Sequence, residues 1–184
     1  GFVVSAVPYF HIGSLLTNSI SVPAANGAAV FTSQWQDVSA NGTLYATFAE
    51  DVTSNEVPHW WLAAYGVTSG FEAASSTDLD GDGQITLDEF VAGTDPTNAA
   101  MYFKLSDLES ILTNCAPDCE VAGFNLRWSS ASGRVYSIYA SSNAAGGVWN
   151  VIDAIVTSTP PVNTYTLPPL TNQVGGFLIR VRLP

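Results

Sequence analysis

Basic residues are scarce in this chain. Its 184 residues hold five Lys and Arg against sixteen Asp and Glu, and all five bases (Lys104, Arg127, Arg134, Arg180, Arg182) stand at position 104 or later. Residues 1–103 carry eleven acids and no Lys or Arg, for a net charge of −11, while the remainder balances five acids with five bases. Such a first half cannot neutralise itself through salt bridges. It is repelled by nucleic-acid phosphates and anionic lipid, so nucleic acid is excluded as a partner. Long apolar runs are also missing: none approaches the ~18 to 20 residues of a membrane helix, so no membrane insertion is expected. The opening stretch Gly1 to Phe10 has no basic n-region, which argues against an intact signal peptide and for a processed product.

Catalytic signatures are equally thin. His11 and His59 are the only imidazoles, and neither has a nucleophile nearby in sequence, so both are expected to be structural. No Gly-rich phosphate loop and no nucleophile elbow occur. Asp107 with Glu109, and Asp118 with Glu120, stand two apart and read as adjacent exposed acids rather than a glycosidase pair. No enzyme is expected. The two cysteines, Cys115 and Cys119, enclose three residues and lack a nearby His, so they supply at most half a zinc site. A small disulfide ring is the leading reading, with two free thiols the alternative. A bridge requires an oxidising compartment, and the Ser/Thr/Asn-rich, lysine-poor composition points the same way.

What is present is hydrophobic: 47% of residues, with only 11% charged against about 25% in an ordinary soluble domain. Gly1 to Phe10 is almost wholly apolar, with Phe2, Val4 and Ala6 on one alternating face and Val3 and Val7 on the other. That pattern predicts a strand buried on both sides. Strands are expected at Leu15–Val22, Ala28–Trp35 and Thr43–Phe48, with hairpin-type turns at Asn26-Gly27 and Asn41-Gly42. Pro58 suits a first helical turn, with Ser54 or Asn55 as cap and Gly66 as stop. A second short helix is expected around Leu87–Ala92. From Tyr102 onward the period returns to two: Phe124, Leu126 and Trp128, then Tyr136, Ile138 and Ala140, then Phe177, Ile179, Val181 and Leu183. Six or seven strands at this spacing predict a mainly β chain built on an immunoglobulin- or fibronectin-like β-sandwich, with a short helical EF-hand-like calcium segment. The expected parts are an apolar N-terminal strand (1–20), a β-rich part (21–56), the helical calcium segment (57–100) and the C-terminal sandwich (101–184).

The acids of the first half concentrate in one loop. Asp78, Asp80 and Asp82 take positions 1, 3 and 5 of a twelve-residue EF-hand pattern, Gly83 position 6, Gln84 position 7 through its backbone carbonyl, Thr86 position 9 and Glu89 position 12. Ca2+ wants six to eight hard oxygens at about 2.3–2.6 Å; a loop bent at Gly83 brings the aspartates to one point, and Glu89 closes bidentately. Asp95, in Gly93-Thr94-Asp95-Pro96, is a further ligand candidate, its plainer reading being an Asx-type turn.

The stretch Asp78–Glu89 with Phe90, Gly93, Thr94, Asp95 and Pro96 resembles the calcium repeats of dockerin and thrombospondin type 3 modules. Trp60-Trp61-Leu62, Tyr65-Gly66, Leu126 and Trp128, Gly133-Arg134 and Tyr136, Ser142-Asn143 and Trp149 are similar to the tail region of large secreted bacterial surface proteins, and Val38–Ala49 looks like the end of a bacterial surface β-repeat. The resemblance implies no catalytic activity. It leaves Gly1 to Asp37 unexplained.

An apolar segment such as Gly1–Phe10 either completes its own sheet or enters a neighbour's, with Phe2, Val3, Val4, Val7 and Phe10 as contact residues. Head-to-tail repetition of the second arrangement builds an open filament. The leading expectation is therefore an extracellular, calcium-stabilised structural protein of the bacterial cell surface whose partner is itself. The alternative is an accessory module of a larger secreted enzyme, binding carbohydrate through an exposed tryptophan such as Trp60 or Trp61.

Overall fold

Alternation of apolar and polar residues decides most of the architecture. In the computed structural model the chain is mainly β, as the sequence predicts, and the structure describes residues 1–36, 40–113, 118–167 and 174–184. Two compact units meet in sequence between Thr77 and Asp78. The boundary divides the helical segment expected over 57–100, and the calcium loop belongs with the C-terminal sandwich.

The N-terminal unit contains β1 (Phe2–Ser5), β2 (Phe10–Thr17), β3 (Ile20–Ser21), a 3-10 turn over Pro23–Ala25, β4 (Val30–Ser33) and β5 (Leu44–Glu50). It ends with α1 (His59–Ala64) and α2 (Phe71–Ser75). β1 pairs antiparallel with β4 in a two-stranded sheet, and β3, β2 and β5 form a second sheet in that order. Val4, Ile12, Leu15 and Ala25 make the buried core, with Phe2, Val22, Phe31 and Ala46 packed around it. Only one face of β1 is covered. Val3 is 63% exposed and Val7 65%, because a two-stranded sheet on a small core has nothing to place on its other side; burial on both sides does not occur. Phe10, half-buried, opens β2.

The expected strand Leu15–Val22 is instead a hairpin. Asn18 and Ser19 take φ of 50° and 66°, the left-handed pair that a tight two-residue turn needs, and Thr43 N donates to Asn18 Oδ1 at 2.8 Å. Pro58 caps α1 without any side-chain hydrogen bond. Ser54 and Asn55 do not cap it: Ser54 N and Oγ both donate to the Glu72 carboxylate on α2. α2 itself was not expected.

The C-terminal unit runs from the calcium loop into α3 (Thr86–Ala92), then β6 (Leu105–Thr113), β7 (Glu120–Ser129), β8 (Val135–Ser141), β9 (Asn150–Thr157), β10 (Val162–Leu167) and β11 (Gly176–Arg182). Two three-stranded antiparallel sheets form, ordered β10-β7-β6 and β11-β8-β9. Their shared core is Leu126, Trp128, Tyr136, Ile138 and Leu167, each burial contributing roughly 1.5 to 3 kcal/mol. These are the inward positions that the period of two selects. The sheets meet through Trp128 on Tyr136, ring centroids 5.5 Å apart, and Phe124 on Phe177 at 5.3 Å. Tyr165 Oη donates to Asp153 Oδ2 at 3.0 Å, joining β10 to β9 across the layers. No described helix is long and apolar enough to cross a membrane.

Candidate metal centre

The loop's shape follows from its glycines and aspartates. Gly81 and Gly83 take φ of 83° and 97°, and a β-carbon at Gly83 would meet nothing within 4 Å, so the demand there is conformational rather than steric. Backbone amides then claim one side of the aspartate set. Gly81 N and Gly83 N donate to the two oxygens of Asp78 at 2.7 and 2.8 Å, Asp82 N donates to Asp80 Oδ1 at 3.1 Å, and Gln84 N to Asp82 Oδ1 at 2.7 Å. These local turns fix each carboxylate. One oxygen from each of Asp78, Asp80 and Asp82 lies within 4.8 Å of the others.

Glu89 reaches the site from the first turns of α3 and is fully buried, as is Thr86. The amides leave Asp80 Oδ2 and Asp82 Oδ2 buried without a hydrogen-bond partner, and both Glu89 oxygens are in the same condition. Buried, unpaired carboxylate oxygens are strongly unfavourable unless a cation compensates them. Oxygens of this kind are what a hard cation takes; the aspartates converge within 4.8 Å, and Glu89, on which their charges act, holds the twelfth position of the loop, so the residue types fit Ca2+. The Gln84 side chain turns away, Nε2 donating to the Phe103 carbonyl at 3.4 Å, which leaves its backbone oxygen for the role its loop position assigns.

The electrostatics express the same strain. The amides of Gly83 and Gly81 hold the Asp78 carboxyl below the usual carboxylate range. Burial, reinforced by the charges of Asp80, Asp82, Asp78 and Asp95, pushes Glu89 up to about 7. Asp95 thus acts on the site through its charge, while its Oδ1 accepts from Thr97 N at 3.0 Å and Thr97 Oγ1 at 2.7 Å, the Asx-type turn.

One residue that secures the centre carried no expectation from sequence. Arg134 donates from Nε to the Val91 carbonyl and from Nη2 to the Phe90 carbonyl, both at 2.7 Å. It thereby satisfies the last carbonyls of α3 and places a cation at the helix C-terminus. Gly93 ends the helix at φ 79°, where a β-carbon would fall 2.5 Å from the Ala131 side chain. The sequence signal was present in Gly133-Arg134, just before an alternating strand, but its partner lies 43 residues back.

Other candidates sit apart from the loop. His11 Nδ1 bonds Asp51 Oδ1 at 2.7 Å, and His59 stacks on Phe71 with centroids 4.2 Å apart, both structural placements. Trp35 packs on Phe2 and Trp61 on Tyr65. Trp128 is buried, Trp149 half-buried, and Trp60 exposed on α1. Cys115 lies outside the described residues, so its pairing with Cys119 does too. No family model, curated protein or solved structure matches the chain, so the reading of the centre rests on the chemistry of its own residues.

Proposed function

We propose that the chain is a calcium-stabilised structural protein of an extracellular, bacterial-surface assembly, without catalytic activity of its own. The observation that carries the calcium part is the set of four buried, unpartnered oxygens on Asp80, Asp82 and Glu89. When bound, Ca2+ would supply positive charge and coordination there; Asp78, Asp80, Asp82, Glu89 and the Gln84 carbonyl would hold it, with Thr86 at the ninth position. Because α3 is tied to the sandwich by Arg134, order in the loop is order in the C-terminal unit.

The assembly part draws support from two apolar side chains left open, Val3 on β1 and Val7 just after it. An accessory module of a larger secreted protein is the second reading, favoured by one observation: Phe2–Ser5 already pairs with Val30–Ser33 of the same chain. A carbohydrate contact in that reading would centre on Trp60. Thermal melting with and without chelator tests the calcium part. Melting at a lower temperature in chelator supports it, and identical curves refute it.

A further inference from the structure

Four bonds in the chain join Asn or Asp to glycine: Asn26-Gly27, Asn41-Gly42, Asp80-Gly81 and Asp82-Gly83. Glycine leaves its own main-chain nitrogen unshielded by any side chain, so each is a place where that nitrogen can reach the preceding side-chain carbonyl carbon. Hydrogen bonding separates them, because an amide proton held by an acceptor is not free to leave. Gly27 N donates to the carbonyl of buried Ile12 at 2.8 Å. Gly81 N and Gly83 N donate to the Asp78 carboxylate at 2.7 and 2.8 Å. Among the described residues Gly42 N has no such acceptor, and the Asn41 side-chain amide has no partner either. Both residues are exposed and lie just before β5 begins at Leu44. Their surroundings hold glycine in place: a β-carbon on Gly42 would fall 2.9 Å from the Trp35 ring, which itself packs on Phe2 of β1 with centroids 5.5 Å apart. On the other side Thr43 N donates to Asn18 Oδ1 at 2.8 Å, and Asn18 N to the Thr43 carbonyl at 2.9 Å.

We propose that Asn41 is a self-modification site, converting to aspartate and isoaspartate in the folded protein. The Gly42 nitrogen attacks the Asn41 side-chain carbonyl carbon. A C–N bond forms, the bond to the side-chain NH2 breaks, and ammonia leaves with the proton that the Gly42 amide gives up. The cyclic imide then takes up one water. Opening at one carbonyl gives aspartate, and opening at the other gives isoaspartate, whose main chain runs through the β-carbon. Water is the only co-reactant, and no other protein is needed. Either product adds a carboxylate to residues 1–103, which hold eleven acids and no Lys or Arg to neutralise it. Isoaspartate also lengthens the main chain by one carbon directly before the Gly42 contact with Trp35 and the Asn18–Thr43 pair. The entry to β5 thus carries a one-way chemical record of the protein's age, whereas Asn26 and the calcium loop are spared by the bonds their glycines make.

The test is a time course of peptide mapping by mass spectrometry on the full chain, folded in calcium and unfolded in guanidinium chloride, at the same mildly alkaline pH. Exchange of NH2 for OH adds one mass unit to a peptide, and isoaspartate is read separately with a protein-isoaspartate methyltransferase and a labelled methyl donor. In the folded chain Asn41 should convert at least about tenfold faster than Asn26, because Gly27 N must first release Ile12; a tenfold slowing corresponds to only about 1.4 kcal/mol of local opening. In guanidinium chloride the two should convert at similar rates, since neither environment survives. Asn41→Gln should abolish the fast conversion and leave Asn26 unchanged; the side chain is exposed and bonds nothing, so the fold is kept. An Asn41 that stays intact in the folded chain while the unfolded chain converts overturns the proposal. So does an Asn26 that keeps pace with it in the folded chain, or a lead for Asn41 that is undiminished on unfolding.

Discussion

Glu89→Gln should raise stability without calcium and forfeit it with calcium. The substitution keeps the shape of a fully buried side chain and removes its charge. In the cation-free protein, burial and the three loop aspartates push Glu89 from 4.5 up to about 7, a displacement worth roughly 3 kcal/mol at 1.36 kcal/mol per pKa unit. The sign follows from linkage. A carboxyl whose folded-state pKa is raised contributes stability in full below its unfolded value, and loses it as pH rises through the folded one. At pH 8 the charged Glu89 therefore burdens the cation-free fold by that amount, and Gln, which resembles the protonated acid, escapes it. For a unit of about 100 residues, ~3 kcal/mol moves the midpoint by on the order of 10 °C. Scanning calorimetry at pH 8 in chelator should show the Gln variant melting above the wild type. Millimolar calcium should raise the wild type, by about 2.7 kcal/mol at a hundredfold excess over its dissociation constant, and leave the variant in place. A variant that melts below the wild type in chelator, or that keeps the full calcium response, would refute the reasoning.

Arg134→Met should cost about 2 to 3 kcal/mol in chemical denaturation, because two charged hydrogen bonds to α3 carbonyls are lost; a loss under 0.5 kcal/mol would mean that α3 docks without it. Gly83→Ala should weaken calcium binding through backbone strain of about 1 to 3 kcal/mol at φ 97°, seen in a calcium titration, and unchanged affinity would show that the loop tolerates another path. Burial and the Asp153 hydrogen bond raise the Tyr165 pKa, so its stabilising share is complete below the ordinary value near 10 and fades as pH climbs past it. Ultraviolet titration should find one late-ionising tyrosine that Tyr165→Phe removes. Intact mass without reduction should be two protons below the dithiol value if Cys115 and Cys119 are bridged, and two alkylatable thiols would exclude the bridge.

What could be read from the sequence was what depends on near neighbours. The twelve-residue spacing from Asp78 to Glu89 is a local code, and Gly83 and the Asx turns execute it locally. Leu126, Trp128, Tyr136 and Ile138 announced their burial because both sheets cover them. Partners distant in the chain could not be read. β1 meets β4 across an intervening hairpin, so its two apolar faces suggested double burial where only Val4's face is covered. The hairpin at Asn18 and Ser19 was hidden because no glycine marks its left-handed residues. α2 lacked a sequence signal: five residues, no side-chain cap and Gly70 in front. Arg134 looked like a strand-entry cation, and only the folded chain brings it to the end of α3.

Calorimetric titration of the calcium-depleted chain with Ca2+ tests the central claim most directly. The account predicts one site per chain, lost in Asp80→Ala/Asp82→Ala and in Glu89→Gln, with the heat of binding accompanied by a rise in the melting temperature of the wild type alone. Absence of binding at millimolar Ca2+, or binding that survives both variants undiminished, would contradict it.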